Sequence, residues 1–235
     1  MVPLKPRPRL RGFTLIELLV AIALMALMTV LAWRGVDGIW RSRERLQQRA
    51  DEVQTLQAAL TQWGADLDAI APQPKLTGID WDGRVLRILR RSNASPGEGL
   101  LVVAWTWRNV DGKGQWLRWQ SPVLTTRGNL DLAWQKAAVW AQTPSEEDRQ
   151  REVRLLALDQ WQIYYYRSNA WTNPLSSAGT PATGTGSATG TGSTSTTTAS
   201  DMPDGVRLVL TLSPGQAVTG TLTRDWMRPT IGGSK

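Results

Sequence analysis

The chain has 235 residues, with 27 Lys and Arg against 20 Asp and Glu, no Cys and no His. Without Cys there is no disulfide framework and no thiolate metal site. Without His, the imidazole base of a Ser or Cys triad and most transition-metal centres are excluded. A chain this long can bury a core without staples, as one large or two small domains.

Residues 1–12 carry Lys5, Arg7, Arg9 and Arg11, no acid and three prolines, so they read as a basic, non-helical leader. Phe13–Trp33 follows as 21 residues with one ionisable side chain, Glu17. At ~1.5 Å per residue this stretch spans a hydrocarbon core about 30 Å thick. The basic flank comes first, so residues 1–12 are expected on the cytoplasmic side and the rest exported. A secretory signal would have a small-residue cleavage site after its apolar run. Here the small residue, Gly12, precedes the run, and a cut there would leave the apolar helix on the mature protein. A plain signal anchor is the alternative. Glu17 decides against it, because a carboxylate within a span costs about 2.5–3.5 kcal/mol and calls for a partner. A cut after Gly12 would supply one, an α-amino group at Phe13 of the same or a neighbouring subunit. The leader holds +4 of the formal +7, leaving +3 on residues 13–235, so the basic balance is poor evidence for nucleic acid.

Helical periodicity continues past Trp33. Leu46, Val53, Leu56, Leu60, Trp63, Leu67 and Ile70 form one apolar stripe, with polar residues between them. Pro72 and Pro74 are expected to end it. The reading is a membrane helix over 13–36 and an amphipathic continuation over 37–71 that packs on a sheet; a coiled coil is the alternative. Arg84–Arg91, Leu100–Arg108, Gln115–Gln120, Arg151–Leu158, Trp161–Arg167, Gly205–Leu212 and Val218–Trp226 read as strands, with a hairpin signal at Asp111-Gly112-Lys113-Gly114. Leu130–Gln142 is ambiguous and could be a short helix. Residues 176–200 are all Ser, Thr, Gly, Ala or Pro and cannot offset their ordering entropy. They read as a flexible insert, or as a tract for O-linked sugar, within one β-rich domain of residues 75–175 and 201–230. The expected fold is α+β, one long N-terminal helix packed on antiparallel sheet.

Other constellations have plain alternatives. Ten Trp lie beyond residue 80, including Trp105 and Trp107 at i, i+2. They could stack bases or sugars, or build the core and a partner interface. Asp80-Trp81-Asp82-Gly83 and Asp201-Met202-Pro203-Asp204-Gly205 could offer oxygens to calcium, but both are also ordinary turn signals. Glu146-Glu147-Asp148 reads as a solvated loop or a helix start. No paired carboxylates or Walker-type loop stand out, so no catalytic residue and no cofactor is called.

Gly12-Phe13-Thr14-Leu15-Ile16-Glu17, between a basic leader and an apolar helix, resembles the type IV prepilin signature. The resemblance implies a pilin-like fold, cleavage between Gly12 and Phe13 by prepilin peptidase, N-methylation of Phe13, and pairing of Glu17 with a subunit's N-terminal amine. Further blocks resemble the J-type minor pseudopilins of type II secretion. They are Trp33–Ile39, Leu56–Leu67, Leu89-Arg90-Arg91, Trp119–Leu124, Tyr164-Tyr165-Tyr166, Trp171–Pro174 and Met202–Val206. The 25-residue insert and Thr125–Asp148 depart from that pattern. The resemblance implies a non-enzymatic tip subunit that primes pseudopilus assembly with I-type and K-type partners. It would sit in a bacterial inner membrane with its C-terminal domain periplasmic, and nucleic acid is not an expected partner. The alternatives are a type IV minor pilin, or a pilin-like subunit that binds DNA or glycan through its Trp residues. Gene neighbours would separate the first: a secretin points to secretion, retraction genes to a pilus.

Overall fold

The computed structural model describes residues 12–73, 78–92, 99–167, 169–176 and 202–229. Residues 1–11 of the leader and 177–200 of the insert lie outside them. The first helix, α1, runs Leu15–Asp68. The chain divides into two compact units, up to Arg49 and from Ala50 onward.

In the first unit α1 is apolar all round from Leu18 to Trp33, beyond Glu17 in its first turn, and its large side chains from Leu15 to Leu31 are exposed; charged residues return from Arg34 to Arg49. An 18-residue window has a mean hydropathy of 2.6. This is the pattern of a helix whose solvent is hydrocarbon.

In the second unit α1 lies against a sheet. The predicted stripe is present: Leu56, Trp63 and Leu67 are buried, and Leu60 and Ile70 are partly buried. Ala59 and Asp66 are buried on the same face, whereas Leu46 belongs to the first unit and is exposed. The helix stops at Asp68, short of the prolines expected to end it. Residues 69–71 are instead drawn into backbone bonds with the sheet, Ala71 N–H to Leu89 O at 2.9 Å and Arg91 N–H to Ala69 O at 3.0 Å.

The sheet is antiparallel throughout. Its strands are β1 (Ile79–Trp81), β2 (Val85–Arg91), β3 (Leu100–Val110), β4 (Lys113–Gln120), β5 (Glu152–Arg167), β6 (Ala170–Thr172), β7 (Gly205–Leu212) and β8 (Gly220–Met227). They pair in the order β1-β2-β3-β4-β5-β7-β8, with β6 also on β5. The predicted β3–β4 hairpin turns on Asp111 and Gly112, both at positive φ (54° and 80°), the geometry of a two-residue type I′ turn. The two strands expected at Arg151–Leu158 and Trp161–Arg167 are one strand. Up to Ala157, β5 pairs with β4; from Leu158 it pairs with β7, with a register shift between Leu158 and Gln160. The short β1 and β6 gave too little alternation to be legible in the sequence.

Each sheet face has its own core. One face, from β1 to β8, packs Trp105, Trp116, Ile163, Leu208, Leu210 and Trp226 with Trp63 of α1. On the other face, β2–β4 pack under a second helix, α2 (Arg127–Gln142), through Leu89, Val102, Leu117, Trp119, Ala137 and Trp140. This settles the ambiguous Leu130–Gln142 as helix: Thr126 caps it, and Leu130, Ala133, Ala137 and Trp140 share the buried face. A short α3 (Glu146–Gln150) follows, closed by a Ser145–Asp148 capping box, so the acidic triplet is a helix start.

Candidate functional site: the N-terminal motif and the Asp66 hub

Gly12 and Phe13 precede α1 as non-helical residues, and Phe13 is exposed. Glu17 stands in the first turn, where Thr14 makes a reciprocal capping box with it. The Thr14 N–H and hydroxyl donate to Glu17 Oε2 at 3.1 and 3.0 Å, and the Glu17 N–H donates to Thr14 Oγ1 at 3.4 Å. Oε1 has no hydrogen bond among the described residues. Glu17 opens onto a shallow groove of about 330 Å³ along one helix face, walled by Phe13, Ile16, Val20 and Leu24, with the small Ala21 one turn on. A carboxylate oxygen in an apolar groove, already oriented by a cap, suits a cation delivered from outside the chain.

A second charged centre was not foreseen. Asp66 is fully buried and its carboxylate accepts five hydrogen bonds. Arg118 contributes two, Nε to Oδ2 at 2.8 Å and Nη2 to Oδ1 at 2.9 Å. Trp105 Nε1 gives Oδ2 one at 2.9 Å and Gln62 Nε2 gives Oδ1 one at 2.9 Å. Arg90 Nη1 completes the set at Oδ1. One helical acid thus binds β2, β3 and β4 at once. The signal was present in the sequence: Asp66 lies three residues from Trp63 on the apolar stripe, and Arg90 and Arg118 interrupt strands. Two lesser ties act alongside it. Asp68 accepts from Trp226 Nε1 at 2.7 Å, and Glu52 accepts from the Ala217 N–H at 2.6 Å.

The other sequence candidates are placed differently. Trp105, Trp116, Trp119 and Trp140 are buried, so the proposed aromatic binding face is largely core; beyond α1 only Trp107 counts as exposed. Asp82 Oδ1 accepts the Arg84 and Val85 N–H groups at 2.9 Å each, and Asp80 pairs with Arg87. Asp204 pairs with Arg228, while Asp201 lies outside the described residues. The Tyr165 hydroxyl is buried with no hydrogen-bond partner among the described residues. Burial first, then the charge of Asp80, pushes it well above the usual phenol range.

Residues 7–33 match the family model described as the prokaryotic N-terminal methylation motif. The chain is 27% identical over 170 residues to type II secretion system protein J of Vibrio cholerae serotype O1, covering 71% of this chain and 75% of that protein. Together with one helix long and apolar enough to cross a membrane, these matches describe a single-pass, membrane-anchored protein. The chain is a pilin-like α+β protein that carries the methylation motif and resembles the J-type pseudopilins over most of its length.

Proposed function

We propose that this protein is a minor pseudopilin of a type II secretion system, a non-enzymatic tip subunit that primes pseudopilus assembly and so supports export across the outer membrane. The observation that carries the reading is the likeness to type II secretion system protein J over 170 residues, joined to the N-terminal motif. The basic leader stays cytoplasmic and the β-rich domain is periplasmic. Prepilin peptidase cuts between Gly12 and Phe13 and methylates the new amine. Glu17 then pairs with the N-terminal amine of a neighbouring subunit. Oε1 faces that amine while Thr14 holds Oε2, and the apolar groove excludes water, which strengthens the charge pair. The partners are the I-type and K-type minor pseudopilins.

The test is co-expression of the full chain with the I-type and K-type pseudopilins from the same source. Detergent extraction, affinity capture and light scattering would follow. A binary or ternary complex is expected. No association, where those two bind each other, would sink the tip-subunit reading and leave a pilin-like subunit of some other machine.

A further inference from the structure

A cleft of about 540 Å³ opens where β5 passes from β4 to β7. Neither the assembly motif nor the Asp66 hub uses it. Its floor is fixed: the Trp107 indole donates to Leu158 O at 2.8 Å and lies across Gly114, where a Cβ would meet Trp107 Nε1 at 2.6 Å. Trp107 is held in place, yet 37% of it stays exposed. Asp159 sits at the register shift in β5, the kind of irregularity that re-aims a side chain. The Ser213 hydroxyl donates to it at 2.6 Å.

The walls carry unspent polar groups. The side chains of Arg84, Asn109, Gln142 and Gln160 line the cleft, and none has a hydrogen-bond or ion-pair partner among the described residues. A fixed indole with planar amides, one guanidinium and one carboxylate is the chemistry that recognises a sugar. The indole takes the C–H face of a pyranose, and the planar polar groups take pairs of neighbouring hydroxyls. A nucleic acid would need clustered free cations, but Arg108 is neutralised by Glu152 at 2.7 Å and Asp159 lines the same cleft as Arg84. Short strand edges are open beside the cleft, Trp107–Val110 on β3 and Asp159–Tyr164 on β5, but the Trp107 indole already takes the Leu158 carbonyl and the lining is mostly polar side chains rather than the apolar pockets that hold a peptide's alternate residues.

We propose that this cleft binds a short, uncharged oligosaccharide, stacked on Trp107 and hydrogen-bonded by Asn109, Gln142, Asp159 and Gln160. The site stands whether or not the protein joins a pseudopilus.

The test uses the full chain in a zwitterionic detergent with no sugar headgroup. Calorimetry measures binding of chitotetraose, maltotetraose and cellotetraose. At least one is expected to bind saturably. Trp107→Ala and Gln142→Leu are each expected to weaken it by about tenfold or more, while Trp171→Ala, outside the cleft, leaves it unchanged. Gln142 is exposed at the end of α2, so its variant keeps the test readable should Trp107→Ala unfold. The proposal is overturned if none of the three sugars binds or if binding survives both cleft variants. It is equally overturned if Trp171→Ala weakens binding as much, or if a short oligothymidylate binds the cleft in place of the sugars.

Discussion

Asp66 shows how one residue can carry the attachment of a helix. Two guanidiniums converge on its fully buried carboxylate. The pairing need not be worth much against an apolar substitute, but breaking it from one side strands the buried Arg90 and the partly buried Arg118. Asp66→Leu is therefore expected to destabilise the β-rich unit by about 3–5 kcal/mol, read as a lower urea midpoint in detergent. Tyr165 makes the opposite case. Its buried hydroxyl has no partner among the described residues, so its desolvation is uncompensated. Tyr165→Phe removes that hydroxyl and keeps the ring, and is expected to raise stability by about 1 kcal/mol. A lower midpoint would mean that the hydroxyl is bonded after all.

At the scale of elements, alternation and capping chemistry made the long parts legible. The β3–β4 hairpin could be read from Asp111-Gly112, and β7 from Gly205–Leu212, because both carry a local signal. β1 and β6 have three residues each and borrow their conformation from β2 and β5. The long β5 was split in reading because its exposed stretch at Asp159-Gln160 looks like a turn; tertiary pairing on two different strands overrides that. The Glu17 motif was legible because its residues are adjacent in sequence. The Asp66 hub was not, since its partners on the strands lie 24 to 52 residues away and only the sheet brings them together. The helix start at α3 yields a pH test. Burial alone would raise the Asp148 carboxyl. Its bonds from the Ser145 hydroxyl and N–H, with Lys136 nearby, outweigh that and hold it below the usual carboxylate range. The stabilisation is present above the unfolded value of about 3.9 and is lost as pH falls through the lower folded value. Ser145→Ala is expected to cost about 1 kcal/mol at neutral pH. That cost should shrink as pH drops below about 4, which paired unfolding curves of the two proteins would show.

For the molecule as a whole, the two halves of the sheet are joined by one strand. β5 belongs to both, and Gly114 is where the β3–β4 hairpin closes on the transition. A Cβ at Gly114 would lie 2.2 Å from Leu158 O, backbone that cannot move without shifting β5. Gly114→Ala is expected to destabilise by about 1–3 kcal/mol and to loosen Trp107, seen as a lower melting temperature and a red-shifted, more quenchable emission. The division of β5 also sets a timetable. Its first half can pair with β4 as soon as residue 157 has been made, but its second half must wait for β7, whose first residue is Gly205. The core that buries Trp63 also includes Leu208, Leu210 and Trp226. A chain delivered from its N-terminus therefore completes its α2-covered layer early, while the layer over α1 stays open until nearly the last residue has arrived. The long tract between β6 and β7 adds little to that delay, because closure entropy grows only with the logarithm of length. What governs the wait is the arrival of the C-terminus, and a chain interrupted before Gly205 would expose the underside of its first helix to whatever folding factor reaches it first.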